Sequence, residues 1–206
     1  MYKVNAAIAL VTSVLGIAAI DGSANAGMVP VPFPFHGVVP QGIHFNGPAL
    51  APMAYAKFCL RYPHECMMPR TRIMFRGGPT RGTAERMAEL AEVNAAVNRR
   101  IAPLTNERGL AGKEWLISPS HGDCSDYAVT KRHELLARGW PMRNLLLSEV
   151  VLFGGEHHLV LVVRLEEGDV VLDNLVSEIR SWSQVAYRGV RMQTPGNPNY
   201  WVAVAD

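Results

Sequence analysis

Apolar residues along this chain fall into runs of different period. Val4 to Ile20 is almost uninterrupted, follows Lys3, and leads into Ala24-Asn25-Ala26. From Thr83 to about Ile101 the apolar positions Met87, Leu90, Val93, Val97 and Ile101 recur every three or four residues, which predicts an amphipathic helix covering a core. A second helix is expected from Cys124 to Arg138, with Gly139 as its stop and Trp140-Pro141 preventing continuation. Beyond it the pattern shortens to three β-rich runs, LLLSEVVLF (145–153), HHLVLVVRL (157–165) and DVVLDNL (169–175), separated by Gly154-Gly155 and Glu167-Gly168. Helices first and strands after imply an α+β domain with helices packed on an antiparallel β-sheet.

The first run changes how the rest is read. A basic start, a short apolar stretch and a small-x-small site make residues 1–26 a secretory signal peptide, so the expected location is across the inner membrane, in the periplasm, with no stable membrane insertion after cleavage. Removing 1–26 takes away Lys3 and Asp21 and leaves the net charge at +2, which argues against nucleic acid as a partner. Residues 27–52 hold six prolines and four glycines and read as an extended arm, docked on the parent domain or offered to a partner. The domain proper is then 53–206, long enough for one core. In an oxidising compartment Cys59 and Cys66 are expected to form a disulfide closing a small loop; a metal site including His64 is the alternative. The pairing leaves Cys124 as the odd thiol, and a free thiol in an exported protein calls for a reason.

Asp123 is placed to cap the second helix, which makes Cys124 its first residue. Its sulfur then lies among unsatisfied backbone N–H groups at the positive end of the helix dipole, which favours thiolate over thiol. The same N–H groups suit an oxyanion on an attacked carbonyl. Asp126 is placed to cap backward onto the chain before the helix. A thiolate nucleophile needs a base, and His121, His133, His157 and His158 are available. His133 is nine residues along the helix, away from its start, and the two rings of His157-His158 point to opposite faces of a strand. If Leu165 to Gly168 form a four-residue turn, Arg164 pairs with Asp169 and Asp173 shares a face with His158; an odd turn or a bulge would select His157. Asp173, in an apolar strand, is either the partner that orients the histidine or the cap of a turn begun by Asp-Asn. Trp115 either shields the thiolate as an active-site wall or fills the core.

Several segments, taken in order, resemble the bacterial transglutaminase-like cysteine peptidases of the papain and transglutaminase superfamily. They are FCLRYPHEC (58–66), VNAAVNRRIAPLT (93–105), Trp115, GDCSDYAVTKRHELLARGWP (122–141), GEHHLVLVVR (155–164), GDVVLDNL (168–175) and YRGVRMQTPGNPNYWV (187–202). The resemblance implies a papain/transglutaminase-like fold and a hydrolase cleaving amide bonds of a protein or peptide substrate through a thioester. By motif, Cys124 would be the nucleophile, His158 the base and Asp173 its orienter. Relatives that bind calcium carry a GDCED pattern; Ser125 replaces the first acid here, so no cofactor is expected, with Asp123 and Asp126 as the remaining candidate calcium ligands. A binding or scaffold domain of the same fold without turnover, and acyl transfer to an amine, are the alternatives. Neither substrate preference nor oligomeric state is written in these motifs.

Overall fold

A computed structural model describes residues 43–67, 78–104 and 114–205. The signal reading for 1–26 and most of the proposed arm lie outside them. The elements in chain order are β1 (Phe45–Ala49), α1 (Met53–Arg61), α2 (Pro63–Cys66), α3 (Ala84–Arg100), β2 (Ala102–Pro103), β3 (His121–Gly122), α4 (Cys124–Ala137), β4 (Leu145–Val151), β5 (His157–Val163), β6 (Val170–Leu172), β7 (Arg180–Ser181), β8 (Arg188–Thr194) and β9 (Asn197–Val204). Single turns of 3-10 helix precede β4 and follow β7. Seven strands form one sheet in the order β1-β9-β8-β4-β5-β6-β7, antiparallel at every joint. β2 and β3 make a separate two-stranded parallel ladder.

The two long helices begin and end as their capping residues dictate. Thr83 caps α3, its hydroxyl oxygen accepting from Arg86 N at 3.3 Å. Gly139, at φ +83°, takes the left-handed conformation that closes α4. Alternation along the central strands divides the interior. Leu145 and Leu147 of β4 with Leu159, Leu161 and Val163 of β5 pack against Tyr55 and Phe58 of α1, Leu90, Val93 and Val97 of α3, and Val129 and Leu135 of α4. Leu146, Val150, Val160 and Val162 point the other way, into a second cluster with Val171, Met192 and Val204. That is why HHLVLVVRL is apolar at successive positions: β5 is covered on both sides.

Five of the elements outside the runs read from hydropathy shape the fold. α1 and α2 occupy the disulfide segment, and β8 and β9 form the other half of the sheet from a stretch in which Arg188, Arg191, Gln193 and Asn199 break the apolar pattern. β1 comes from the proline-rich segment, at the sheet edge, where Pro48 removes no central ladder bond. No helix among the described residues is long and apolar enough to cross a membrane.

α4 is buried on all sides from Ser125 to Arg132, charged residues included. Arg132 is fully buried and is met by Glu65 of α2: Nη1 donates to Glu65 Oε2 at 2.8 Å and Glu65 O at 2.9 Å, while Nε donates to Leu145 O at 3.2 Å. Glu65 Oε1 also contacts His133 Nδ1 at 2.7 Å. The expected Cys59–Cys66 disulfide is present, and it ties α1 to the residue next to Glu65. Glu65→Ala, which strands a buried guanidinium, is expected to lower the unfolding free energy by about 3 kcal/mol. The Cys59→Ser/Cys66→Ser chain is expected to lose about 2.5 kcal/mol. Urea unfolding followed by circular dichroism checks both, and added reductant should destabilise the parent chain but not the double-serine chain.

Candidate active site

The turn into α4 is built around two carboxylates. Asp123 is the N-cap, its Oδ1 accepting from Ser125 N at 2.9 Å, and Asp126 Oδ2 reaches back to accept from Asp123 N at 2.9 Å, completing the expected capping box. Asp126 Oδ1 accepts from Leu116 N at 2.7 Å, which fastens the Trp115 segment to the same turn. Gly122 is required by this packing, because a Cβ there would stand 2.7 Å from Asp126 Cβ. Cys124 is therefore the first residue of α4, a free and partly exposed thiol at a helix N-terminus whose backbone is held on both sides.

The hairpin between β5 and β6 has the even turn. Val163 pairs with Val170, and across Leu165 to Gly168 the register sets Arg164 against Asp169, with Arg164 Nε donating to Asp169 Oδ1 at 3.3 Å. His158 and Asp173 consequently fall on one side, and His158 Nε2 lies 2.8 Å from Asp173 Oδ1. Cys124 lies near enough to the same ring to influence its charge. Cys124, His158 and Asp173 are thus brought together from α4, β5 and the end of β6.

The remaining histidines are engaged elsewhere. His157 Nδ1 contacts Glu149 Oε1 at 2.7 Å, and Glu149 Oε2 also accepts from Arg191 Nε. His133 is on Glu65, and His121 is exposed, 3.1 Å from Ser120 Oγ. Trp115 is buried, its ring centroid 6.0 Å from that of Tyr55 and 6.2 Å from that of Phe58, so the structure places it in the core beneath α1.

The electrostatics follow from burial and contact. Burial alone would push the His158 imidazolium toward loss of its proton. The Asp173 hydrogen bond and charge, with the Cys124 contact, outweigh it and raise its pKa to about 9. Burial likewise pushes the Asp173 carboxyl up, but the His158 hydrogen bond and charge, the Leu175 N–H and the Tyr187 hydroxyl together hold it below its ordinary value. Lys131, fully buried on α4, is driven by burial down to about 7, with Asp173 offsetting part of the fall.

Three groups touching Asp173 escaped reading from spacing. Tyr187 donates its hydroxyl to Asp173 Oδ2, and its ring stands edge-on to His158 at 6.3 Å. Asn98 Nδ2 donates to Asp173 O at 2.9 Å, and Leu175 N donates to Asp173 Oδ1 at 3.0 Å. Tyr187 and Asn98 do stand inside the motif strings 187–202 and 93–105, but periodicity treats one as a loop residue and the other as the polar side of a helix.

Three solved structures similar to the chain are of Legionella pneumophila LapG. One, 25% identical, covers 54% of this chain and 65% of that one, with a TM-score of 0.46. The calcium-bound form, 24% identical, covers 60% and 71% with a TM-score of 0.50, and the EGTA-treated form, 23% identical, covers 61% and 70% with a TM-score of 0.48. The first match thus spans less than two thirds of the Legionella chain. No curated protein matches.

The calcium-bound form corrects the expectation of no cofactor, since it puts calcium on a protein similar in fold to this one. Replacing one acid by Ser125 was too narrow a ground, because calcium takes six to eight oxygens from carboxylates, carbonyls and water. The described residues do not by themselves fit the ion. Both Asp126 oxygens and Asp123 Oδ1 accept backbone N–H groups, and among the described residues no three His, Cys, Asp or Glu gather into a metal-holding group.

Residues 45–206 match the family model of the bacterial transglutaminase-like cysteine proteinases. With its helices packed on a large antiparallel sheet, the chain belongs to that family.

Proposed function

We propose that this protein is a cysteine peptidase that cleaves amide bonds of a protein or peptide substrate through a thioester, with Cys124 as nucleophile, His158 as general base and acid, and Asp173 as the group that orients His158. The observation that carries the reading is the His158 Nε2 to Asp173 Oδ1 contact of 2.8 Å, on a ring that Cys124 lies near enough to influence. A nucleophile, a base within reach and a third group holding the base are the parts this chemistry needs.

The steps follow from those positions. His158 holds the thiol proton as an imidazolium, stabilised by Asp173, and the Cys124 sulfur attacks the carbonyl carbon, moving an electron pair onto oxygen. The N–H groups of Ser125, Asp126 and Tyr127 are taken by Asp123, so the contribution of α4 to that developing charge is the positive end of its dipole, at which Cys124 stands. His158 returns its proton to the departing amine as the C–N bond breaks, leaving a thioester on Cys124. Water then attacks the thioester carbon, giving its proton to His158, and collapse of the second tetrahedral adduct releases the carboxylic acid and the thiolate. Calcium enters this account from LapG alone, and no step passes through it. Export of the mature domain to the periplasm belongs to the same proposal and rests on the sequence of residues 1–26.

Two outcomes test the reading. At pH 6 iodoacetamide is expected to label Cys124 about tenfold or more faster than free cysteine, and His158→Ala should bring the rate down to that of the free thiol. Labelling as slow as free cysteine in the parent would exclude an activated nucleophile. The second outcome is a pH dependence of stability. His158 titrates near 9 in the folded chain against 6.5 in the unfolded one. Its stabilising share is therefore fully present below about pH 6.5 and lost as pH rises through about 9. The Tm advantage of the parent over His158→Ala should accordingly shrink between pH 6 and pH 10; an advantage that grows with pH would contradict the ion pair.

A further inference from the structure

β6 ends at Leu172, and Asp173 to Ser177 runs on without regular structure, so its main-chain carbonyls have left the sheet ladder and need partners elsewhere. Side chains of α3 meet two of them, one at each end of the segment. Asn98 Nδ2 donates to Asp173 O at 2.9 Å, and Asn94 Nδ2 donates to Ser177 O at 3.0 Å. The two asparagines are four residues apart, one above the other on the helix, so a rigid rod of fixed rise grips the loop at both ends.

Stability alone is a poor explanation for these amides. Asn94 is fully buried, and the Oδ1 atoms of both residues are buried without a hydrogen-bond partner among the described residues. A buried amide with half of its capacity unmet is costly, whereas Val93 and Val97 fill the same helix at no such cost. Turning either amide over would set oxygen against a carbonyl oxygen, so the donor direction is determined by the loop. What the pair adds is location of the loop main chain. That location matters because the same residue presents Oδ1 to His158 Nε2 while its carbonyl is held by Asn98.

We propose that Asn98, with Asn94 at the far end of the loop, is a positioning residue of the active site, acting through the Asp173 main chain to aim the carboxylate at His158 and hence the imidazole at Cys124. The inference rests on the roles given above to Cys124, His158 and Asp173. Small displacements suffice for an effect, since a shift of about 1 Å in an aligned group costs up to about a hundredfold in rate.

The test is the rate of Cys124 labelling by iodoacetamide across pH 5 to 9, which needs no knowledge of the substrate, with Tm measured alongside. The chains are the parent, Asn98→Ala, Asn98→Leu, Asp173→Asn and the Asn98→Ala/Asp173→Asn double variant. Folded Asn98→Ala is expected to label about tenfold more slowly at pH 6, with its pH profile moved toward that of free cysteine. It should add nothing further in the Asp173→Asn background, because a residue acting through Asp173 has no effect once Asp173 is disabled. Parent-like labelling of Asn98→Ala beside a slowed Asp173→Asn overturns the positioning role and leaves the reading of Cys124, His158 and Asp173 intact. Parent-like labelling of Asp173→Asn overturns that reading itself. Additive losses in the double variant, or failure of both Asn98→Ala and Asn98→Leu to fold, assign Asn98 to the fold and also overturn the proposal.

Discussion

Burial of α4 on all sides is the constraint from which much of the structure follows. From Ser125 to Arg132 each residue of the helix is enclosed, yet the stretch includes Asp126, Lys131 and Arg132. An enclosed charge demands a partner, and each demand places another part of the chain. Arg132 draws Glu65, and with Glu65 come α2 and the disulfide that fastens it to α1. Asp126 draws the backbone N–H groups of Asp123 and Leu116, shaping the turn that carries Cys124. Lys131, at the same depth, feels the charge of Asp173.

Around this helix the site is assembled from parts that are each constrained for an ordinary reason. The capping box holds the start of α4, the even turn between β5 and β6 puts His158 and Asp173 on one side, and Tyr187 and Leu175 saturate the Asp173 carboxylate. Saturation matters electrostatically. A carboxylate pulled upward by burial stays ionised because three donors face it, and the ionised carboxylate then holds the proton on His158.

Hydropathy and turn chemistry carried the two long helices, the three central strands and their antiparallel arrangement. Met87 to Ile101 at three- and four-residue intervals, Gly139 after α4 and the apolar runs at 145, 157 and 169 are local signals, and the structure keeps them. β8 and β9 were illegible for the opposite reason. Arg191 and Gln193 point inward to meet Glu149 and the main chain of Leu147 and Pro198, so polar side chains sit where a strand template expects apolar ones. α1 escaped because its buried face is narrow: Ala54, Tyr55 and Phe58 turn inward while Met53 and Leu60 face water.

At the candidate site, the family resemblance of the motifs pointed to Cys124, His158 and Asp173, and strand parity favoured His158 over His157 once the turn was taken as even. Residue types at fixed spacing determine which groups share a face, because the periods of helix and strand are local geometry. Which distant groups meet them is another matter. That Tyr187 reaches one oxygen of Asp173 from 14 residues away, and Asn98 its carbonyl from 75, was decided by how α3 and the segment before β8 pack on the end of β6. The place of Trp115 is likewise a matter of packing, its ring lying against Tyr55 and Phe58 in the core. Packing depends on contacts between residues far apart in the chain, which no local period records.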